Sequence, residues 1–270
     1  MTMIDPSPER RLSVRLKPEP VWISHRGIRS SGLTENTVGA FDSAVLKGFS
    51  CLETDLRLTR DGHIVLMHDE NLDRVTGVPL TIRSPTALKS LTRPEIERIV
   101  LPCGGHFLFL DEFIKRFYQV NWVFDVKLET AQECLQKLRK MVNETADPKE
   151  VEAKISFVLW SKADERLAKQ LFPDATFFAQ PSECWRAAIF SFGGLGMLAN
   201  IKAGRGYSLT ARFAWFVPIT LFTRRIFEKY HARGAKIILY LPNSEDEFVQ
   251  GLNAGADFIL SDGLILPSRE

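Results

Sequence analysis

From residue 21 onward the chain alternates short apolar runs with longer stretches of helical periodicity. The runs VWIS (21–24), CLETDLRL (51–58), WVFDVK (122–127), ISFVLW (155–160), ATFFAQ (175–180), RFAWFVP (212–218), KIILYL (236–241) and DFILSD (257–262) predict eight strands. Between most of them lie amphipathic segments such as ENTVGAFDSAVLKG, TAQECLQKLRKMVNET, SKADERLAKQLF, TRRIFEKYHARG and SEDEFVQGLNAG. Gly48, Gly234 and Gly255 sit shortly before strands, where glycine supplies the left-handed conformation that ends a helix. Thr130, Ser161 and Ser244 follow strands as candidate N-caps. Repeated strand–helix units imply a parallel sheet covered by helices, and eight units in about 250 residues predict a (β/α)8 TIM barrel. The competing architecture, an open doubly wound sheet, usually has fewer strands.

Two stretches break the rhythm. After the second strand, Asp61-Gly62 separates two apolar runs, and HIVLMHD (63–69) continues as a further strand, a β-hairpin extension. The region from Asn71 to Asn121 is less regular, with PEIERIV and LDEFIKRF reading as helices. The second stretch holds Trp185, Phe190, Phe192, Trp215, Phe216, Phe222 and Phe227, interleaved with Lys202, Arg205, Arg212, Arg224 and Arg225. Its aromatic residues suit a core plus a loop over the barrel mouth; together with the basic residues they also suit weak contact with an anionic membrane surface. The first twenty residues are polar, so the expected organisation is an N-terminal arm (1–20) and a single domain (21–270).

Composition narrows the function classes. The 270 residues carry 35 Lys+Arg against 33 Asp+Glu, a formal charge of +2. That near balance argues against a nucleic-acid partner bound through a basic face. No run reaches the ~18 uncharged apolar residues that a spanning helix needs, and the N-terminus lacks the apolar core of a secretory signal. Cys51, Cys103, Cys134 and Cys184 are irregularly spaced with no C-x-x-C pair, which reads as reduced thiols in a cytoplasmic protein. The oligomeric state stays open.

Alternate residues of a strand share a face, so Glu53 and Asp55 point the same way, as do Asp125 and Lys127. Charges on one face of an otherwise apolar strand are costly to bury unless they meet a cation, one another or a ligand. Both pairs fall near the C-terminal ends of their strands, where barrel active sites gather. His25 ends the first strand and His68 ends the hairpin strand. Two histidines beside clustered carboxylates suit general acid–base chemistry near neutral pH. His63, His106 and His231 lack that setting.

The segments HRG (25–27), ENTVGAF (35–41), ETDLRLTRDGHIVLMHDENLDRVTG (53–77), FDVK (124–127) and GADFILSD (255–262) resemble, in order and over most of the chain, the glycerophosphodiester phosphodiesterase family. The resemblance implies a (β/α)8 barrel that hydrolyses small-molecule glycerophosphodiesters to an alcohol and sn-glycerol 3-phosphate. It also implies one divalent cation, Mg2+ or Ca2+, with Mn2+ a further option. Matched by position, His25 and His68 resemble the acid/base pair, Glu53, Asp55 and Asp125 the metal ligands, and Arg26 and Lys127 the phosphate-binding cations. Three carboxylates without a cysteine suit a hard ion. Glu35 and Asn36 either orient these groups or form the first turn of the following helix.

Three positions depart from the family pattern. Asp125 stands where Glu is usual and is one methylene shorter, a form similar to that of sphingomyelinase D-type phospholipases. Thr34 replaces a common Pro. Tyr240-Leu241-Pro242-Asn243 replaces Trp-Thr-x-Asn, leaving Tyr240 as the candidate to stack on a glycerol or headgroup. Two other functions compete: lysophospholipase D-like hydrolysis of lipid phosphodiesters at the same site, which the aromatic stretch favours, and a catalytically silent module that binds a phosphorylated metabolite. A silent module has no need of two histidines.

Overall fold

The computed structural model describes residues 19–29, 32–77, 87–193, 197–214, 217–263 and 265–266. The arm expected at 1–20 lies outside these residues except for its last two positions, and so do Trp215 and Phe216 of the aromatic stretch. The first half of the chain forms β1 (Val21–His25), α1 (Val38–Leu46), β2 (Cys51–Leu58), β3 (Ile64–Leu66), α2 (Asp73–Thr76), α3 (Arg93–Glu97), α4 (Leu110–Arg116), β4 (Asn121–Val126) and α5 (Ala131–Asn143). Next come α6 (Pro148–Ala153), β5 (Ile155–Val158), α7 (Lys162–Leu171), β6 (Thr176–Phe177), α8 (Pro181–Phe192) and β7 (Gly206–Leu209). The last part forms β8 (Arg212–Ala214), β9 (Val217–Thr220), α9 (Arg224–His231), β10 (Lys236–Tyr240), α10 (Glu245–Ala254) and β11 (Phe258–Ser261).

Eight strands run parallel in the order β6-β5-β4-β2-β1-β11-β10-β7. The two ends of this order meet where the Ala179 N–H donates to the Gly206 carbonyl oxygen at 2.8 Å, so the barrel is nearly closed. Gly206 permits that approach: a Cβ there would lie 3.0 Å from the Phe178 ring. Beside the barrel, β3 pairs antiparallel with β2, Leu56 opposite Leu66 and Leu58 opposite Ile64.

Strand alternation sorts side chains into two environments. Leu52, Leu56 and Leu58 of β2 and Trp122, Phe124 and Val126 of β4 face outward and share a core with Phe113, Leu135 and Leu138 of the covering helices. Each such side chain contributes about 1.5–3 kcal/mol on burial. The inward set begins apolar, with Ile23, Cys51, Val123, Phe178, Ile238 and Leu260 filling the barrel. Two residues further along β1, β2 and β4 the same face presents His25, Glu53 and Asp125. Parallel register then sets His25 beside Glu53 and Asp55 beside Asp125.

The helix signals hold at most positions. Ser161 and Ser244 accept N–H bonds from Asp164 and Glu247 at the starts of α7 and α10. Gly48, Gly234 and Gly255 have φ of +92°, +70° and +99°. Thr130 makes no side-chain cap, because a 3-10 turn at Leu128–Thr130 runs directly into α5.

Two strand expectations need correction. The sixth barrel strand is Gly206–Leu209, not the aromatic run 212–218. That run folds back on itself, β8 pairing antiparallel with β9 and Arg212 opposite Thr220. Its β-propensity is met by a local hairpin, while the barrel takes a weaker strand whose glycine allows the close approach. The expected strand 175–180 shortens to Thr176–Phe177, because Pro181 opens α8 with an extended Gln180 as its cap. Within the aromatic stretch Phe222 and Phe227 are buried, and Trp185 and Phe192 are half exposed on α8. No helix among the described residues is long and apolar enough to cross a membrane.

Gly27 marks the exit of β1. Its φ is +79°, and a Cβ would lie 2.6 Å from the Ala40 Cβ and 2.7 Å from the Ala40 carbonyl carbon. Gly27→Ala is therefore expected to cost at least about 1–3 kcal/mol from backbone conformation alone. The measurement is a urea unfolding curve with a lower midpoint at unchanged slope.

Candidate active site

The inward charged residues converge at the C-terminal ends of β1, β2 and β4 on a cavity of about 340 Å³. Glu53, Asp55 and Asp125 are buried there, and each offers an oxygen within 4.8 Å of the others. Lys127 Nζ lies 2.7 Å from Asp55 Oδ1 and 2.6 Å from Asp125 Oδ2. Arg26 Nε lies 3.0 Å from Asp55 Oδ2. The Trp160 indole N–H donates to Asp125 Oδ1 at 2.6 Å.

This cluster is short of positive charge. Three carboxylates face two cations, and Arg26 is shared with Glu35 at 3.3 Å. Burial works against ionisation of Asp55, but Lys127 and Arg26 outweigh it and hold the carboxyl below its usual range. For Glu53 the balance reverses: burial, then the charges of Asp55 and Asp125, push it well above the usual range, although Arg26 and Lys127 oppose the shift. Burial, with the Asp55 charge, also raises Asp125, although Lys127 opposes the shift. Hard oxygen donors with a buried charge deficit fit a divalent cation, so Glu53, Asp55 and Asp125 could hold one.

The two histidines sit in different surroundings. His25 is buried, its Nε2 4.0 Å from Glu53 Oε2, and its Nδ1 finds no partner among the described residues. Burial and then the neighbouring Arg26 lower its pKa to about 4, so it is a neutral base at pH 7. His68 is more open, and Asp69 Oδ1 lies 2.6 Å from its Nδ1. With Nδ1 so engaged, Nε2 is the nitrogen left for the cavity. Tyr240 lines the same cavity, 40% exposed.

A chain of ion pairs links these groups. Arg74 Nε donates to Asp69 Oδ2 at 2.5 Å, and its terminal nitrogens donate to the buried Glu35 at 2.6 and 3.1 Å. Glu35 in turn accepts from Arg26. Asn36 supports the other side: its Nδ2 donates to Asp55 Oδ2 at 3.2 Å, and its Oδ1 accepts from the Thr54 hydroxyl at 2.8 Å. Arg26 and Asn36 both adopt left-handed backbone, φ +58° and +56°. Such strain in non-glycine residues persists where the surroundings over-determine it.

Residues 25–265 match the model of the Glycerophosphoryl diester phosphodiesterase family. The chain belongs to this family. It is 25% identical to human Lysophospholipase D GDPD1 over 89% of this chain and 82% of that protein. Its fold is similar to that of a glycerophosphoryl diester phosphodiesterase domain from Mycobacterium tuberculosis, with a TM-score of 0.73 and 14% identity over 90% of this chain and 96% of the other. It is also similar to an Oleispira antarctica phosphodiesterase solved with the product sn-glycerol-3-phosphate, with a TM-score of 0.66 and 21% identity over 90% and 93% of the two chains. The enzyme is thus a phosphoric diester hydrolase on a barrel of eight parallel strands.

The sequence pointed to His25, Arg26, Glu53, His68, Asp125, Lys127 and Tyr240, and all seven line this one cavity. Asp55 joins them from behind, fully buried. Glu35 and Asn36 are not the first turn of a helix: Thr37 caps α1 and both residues precede it, free to bind Arg26 and Asp55. Asp69, Arg74 and Trp160 carry no signal of this kind in the sequence pattern used above. Asp69 was the most accessible of these, since an acid directly after a candidate His is a natural orienting partner.

The ion-pair chain and the raised Glu53 can each be tested. Arg74→Ala releases Asp69 and Glu35 together and is expected to lower kcat about 10- to 100-fold with little change in KM, and Arg74→Lys to recover part of the loss; steady-state kinetics checks both. Because burial and the neighbouring acids raise Glu53, a proton and a cation compete for its carboxylate, and cation binding expels whatever proton it holds. Mg2+ affinity is expected to rise with pH and level off above the folded pKa of Glu53, with proton release seen by calorimetry in buffers of different ionisation enthalpy.

Proposed function

We propose that the protein hydrolyses glycerophosphodiesters to an alcohol and sn-glycerol 3-phosphate with a divalent cation and two-histidine acid–base catalysis. The observation that carries this reading is the buried Glu53, Asp55 and Asp125 cluster, short of positive charge and flanked by two histidines on one cavity. The Oleispira antarctica phosphodiesterase holds sn-glycerol-3-phosphate as its product, which supports the choice of diester. The human relative, a lysophospholipase D by name, extends the reading to diesters whose glycerol carries an acyl chain.

A phosphodiester in this cavity gathers negative charge on its non-bridging oxygens as the reaction proceeds. Glu53, Asp55 and Asp125 would hold a divalent cation such as Mg2+ or Ca2+, which would supply positive charge against it. Lys127 has one N–H beyond those aimed at Asp55 and Asp125, and Arg26 keeps donors beyond Asp55 and Glu35; both turn these toward the phosphate. His25, neutral and desolvated, takes the proton of the attacking oxygen. His68, steadied by Asp69, gives its proton to the departing alcohol. Tyr240 lies at the cavity edge to stack on the glycerol or headgroup.

The test is hydrolysis of glycerophosphocholine and glycerophosphoethanolamine after EDTA, with Mg2+, Ca2+ and Mn2+ restored separately. Activity is expected to vanish with EDTA and return with one or more ions. His25→Ala and His68→Ala are each expected to lose about 10²- to 10⁴-fold in kcat. Near wild-type turnover by folded His68→Ala would overturn the assignment of roles.

A further inference from the structure

The cavity has two unlike sides. Its charged residues come from β1, β2, β4 and the turn after β3. The opposite wall runs from the end of β6 through α8 and β7 to the segment before α9. It presents Phe178, Cys184, Ala188, Leu209 and Leu221, with Ser208 and Thr210 as polar exceptions. Among the described residues this wall carries no charged group. The five apolar residues are all buried. Burial also pushes the Cys184 thiol up to about 11, so it stays protonated and behaves as a small apolar group.

A polar headgroup set against this wall would lose water and gain few partners. A hydrocarbon chain gains from the same surface by roughly fourfold in affinity for each methylene buried. The wall also leads outward along one helix. Trp185 lines the cavity and is half exposed, and Ile189 and Phe192 follow at i+4 and i+7, 47% and 51% exposed. A chain longer than the cavity would emerge across that apolar face.

We propose that the wall formed by Phe178, Cys184, Ala188, Leu209 and Leu221 is a subsite for one acyl or alkyl chain, and that it sets the enzyme's preference for single-chain diesters. The inference rests on the phosphodiesterase reading above, with the reacting phosphate held at the charged side.

The test uses two substrate series, each member kept below its micelle concentration. The first is 1-acyl-glycerophosphocholines of increasing chain length, with the chain on the glycerol. The second is glycerophospho-n-alkanols, with the chain on the leaving alcohol. In one series kcat/KM is expected to rise by up to about fourfold per added methylene, mainly through KM, and then level off. The series that rises shows which half of the diester lies on the wall. Ala188→Phe fills the wall from the helix side, and Leu221→Asn makes it polar; each is expected to flatten the rise. The readout is the ratio of long-chain to short-chain rates on one sample, which a partial loss of folded enzyme leaves unchanged. Equal kcat/KM at all lengths in both series, with glycerophosphocholine still hydrolysed, overturns the subsite and leaves the phosphodiesterase reading standing. A rise that survives both substitutions overturns its location. No hydrolysis of any diester, glycerophosphocholine included, overturns both readings.

Discussion

The parallel register of β2 against β4 sets Asp55 beside Asp125, and the Lys127 ammonium lies between their carboxylates. Two buried like charges on neighbouring strands would force the sheet apart or take up protons. One cation in contact with both eases that conflict and holds the ends of the two strands in line. Removing one partner of such a buried set costs about 3–5 kcal/mol, a large share of the roughly 5–15 kcal/mol that keeps a domain folded. The arrangement still leaves Glu53 without a cation of its own, so the fold holds the acids together without neutralising them.

The rest of the charged end is fastened to this core in two ways. Asn36 and Arg26 reach Asp55 from the loop after β1, both in left-handed backbone. Arg74 reaches back from α2 and joins Asp69 to Glu35, so the residue next to His68 and the residue next to Asn36 share one guanidinium. The consequence is a division between the histidines. His25 is neutral because it is buried beside a cation, whereas His68 is oriented by a carboxylate at the more open side. Position along the barrel rim thus gives the two imidazoles unlike surroundings, as the proposed division of proton acceptor and donor requires.

Much of the charged end is legible in the amino-acid sequence. Alternation within CLETDLRL and WVFDVK places Glu53, Asp55, Asp125 and Lys127 on inward faces, because a strand's two-residue period is a strong local constraint. His25 is readable as a strand-end residue for the same reason, whereas the expected hairpin strand 63–69 shortens to Ile64–Leu66 and leaves His68 in the turn beyond it. The sixth strand is not legible, since Gly206-Tyr207-Ser208-Leu209 has little β-propensity and the neighbouring aromatic run has a great deal. What selects the shorter segment is the space beside Phe178, a tertiary fact with no local trace. Trp160 and Arg74 are hidden similarly. Trp160 lies 35 residues from the Asp125 it binds, and Arg74 lies 39 from Glu35.

The strands at the apolar side of the cavity are short, two residues in β6 and four in β7, and the rest of that wall is helix and loop. The acids, by contrast, are aligned by the six-residue pairing of β2 with β4. The acids thus depend on a long strand pairing, while the proposed chain subsite depends mostly on side chains of α8 and its flanks that carry little of the sheet. Copies of such a gene could drift apart in what they cut long before any of them lost the ability to cut.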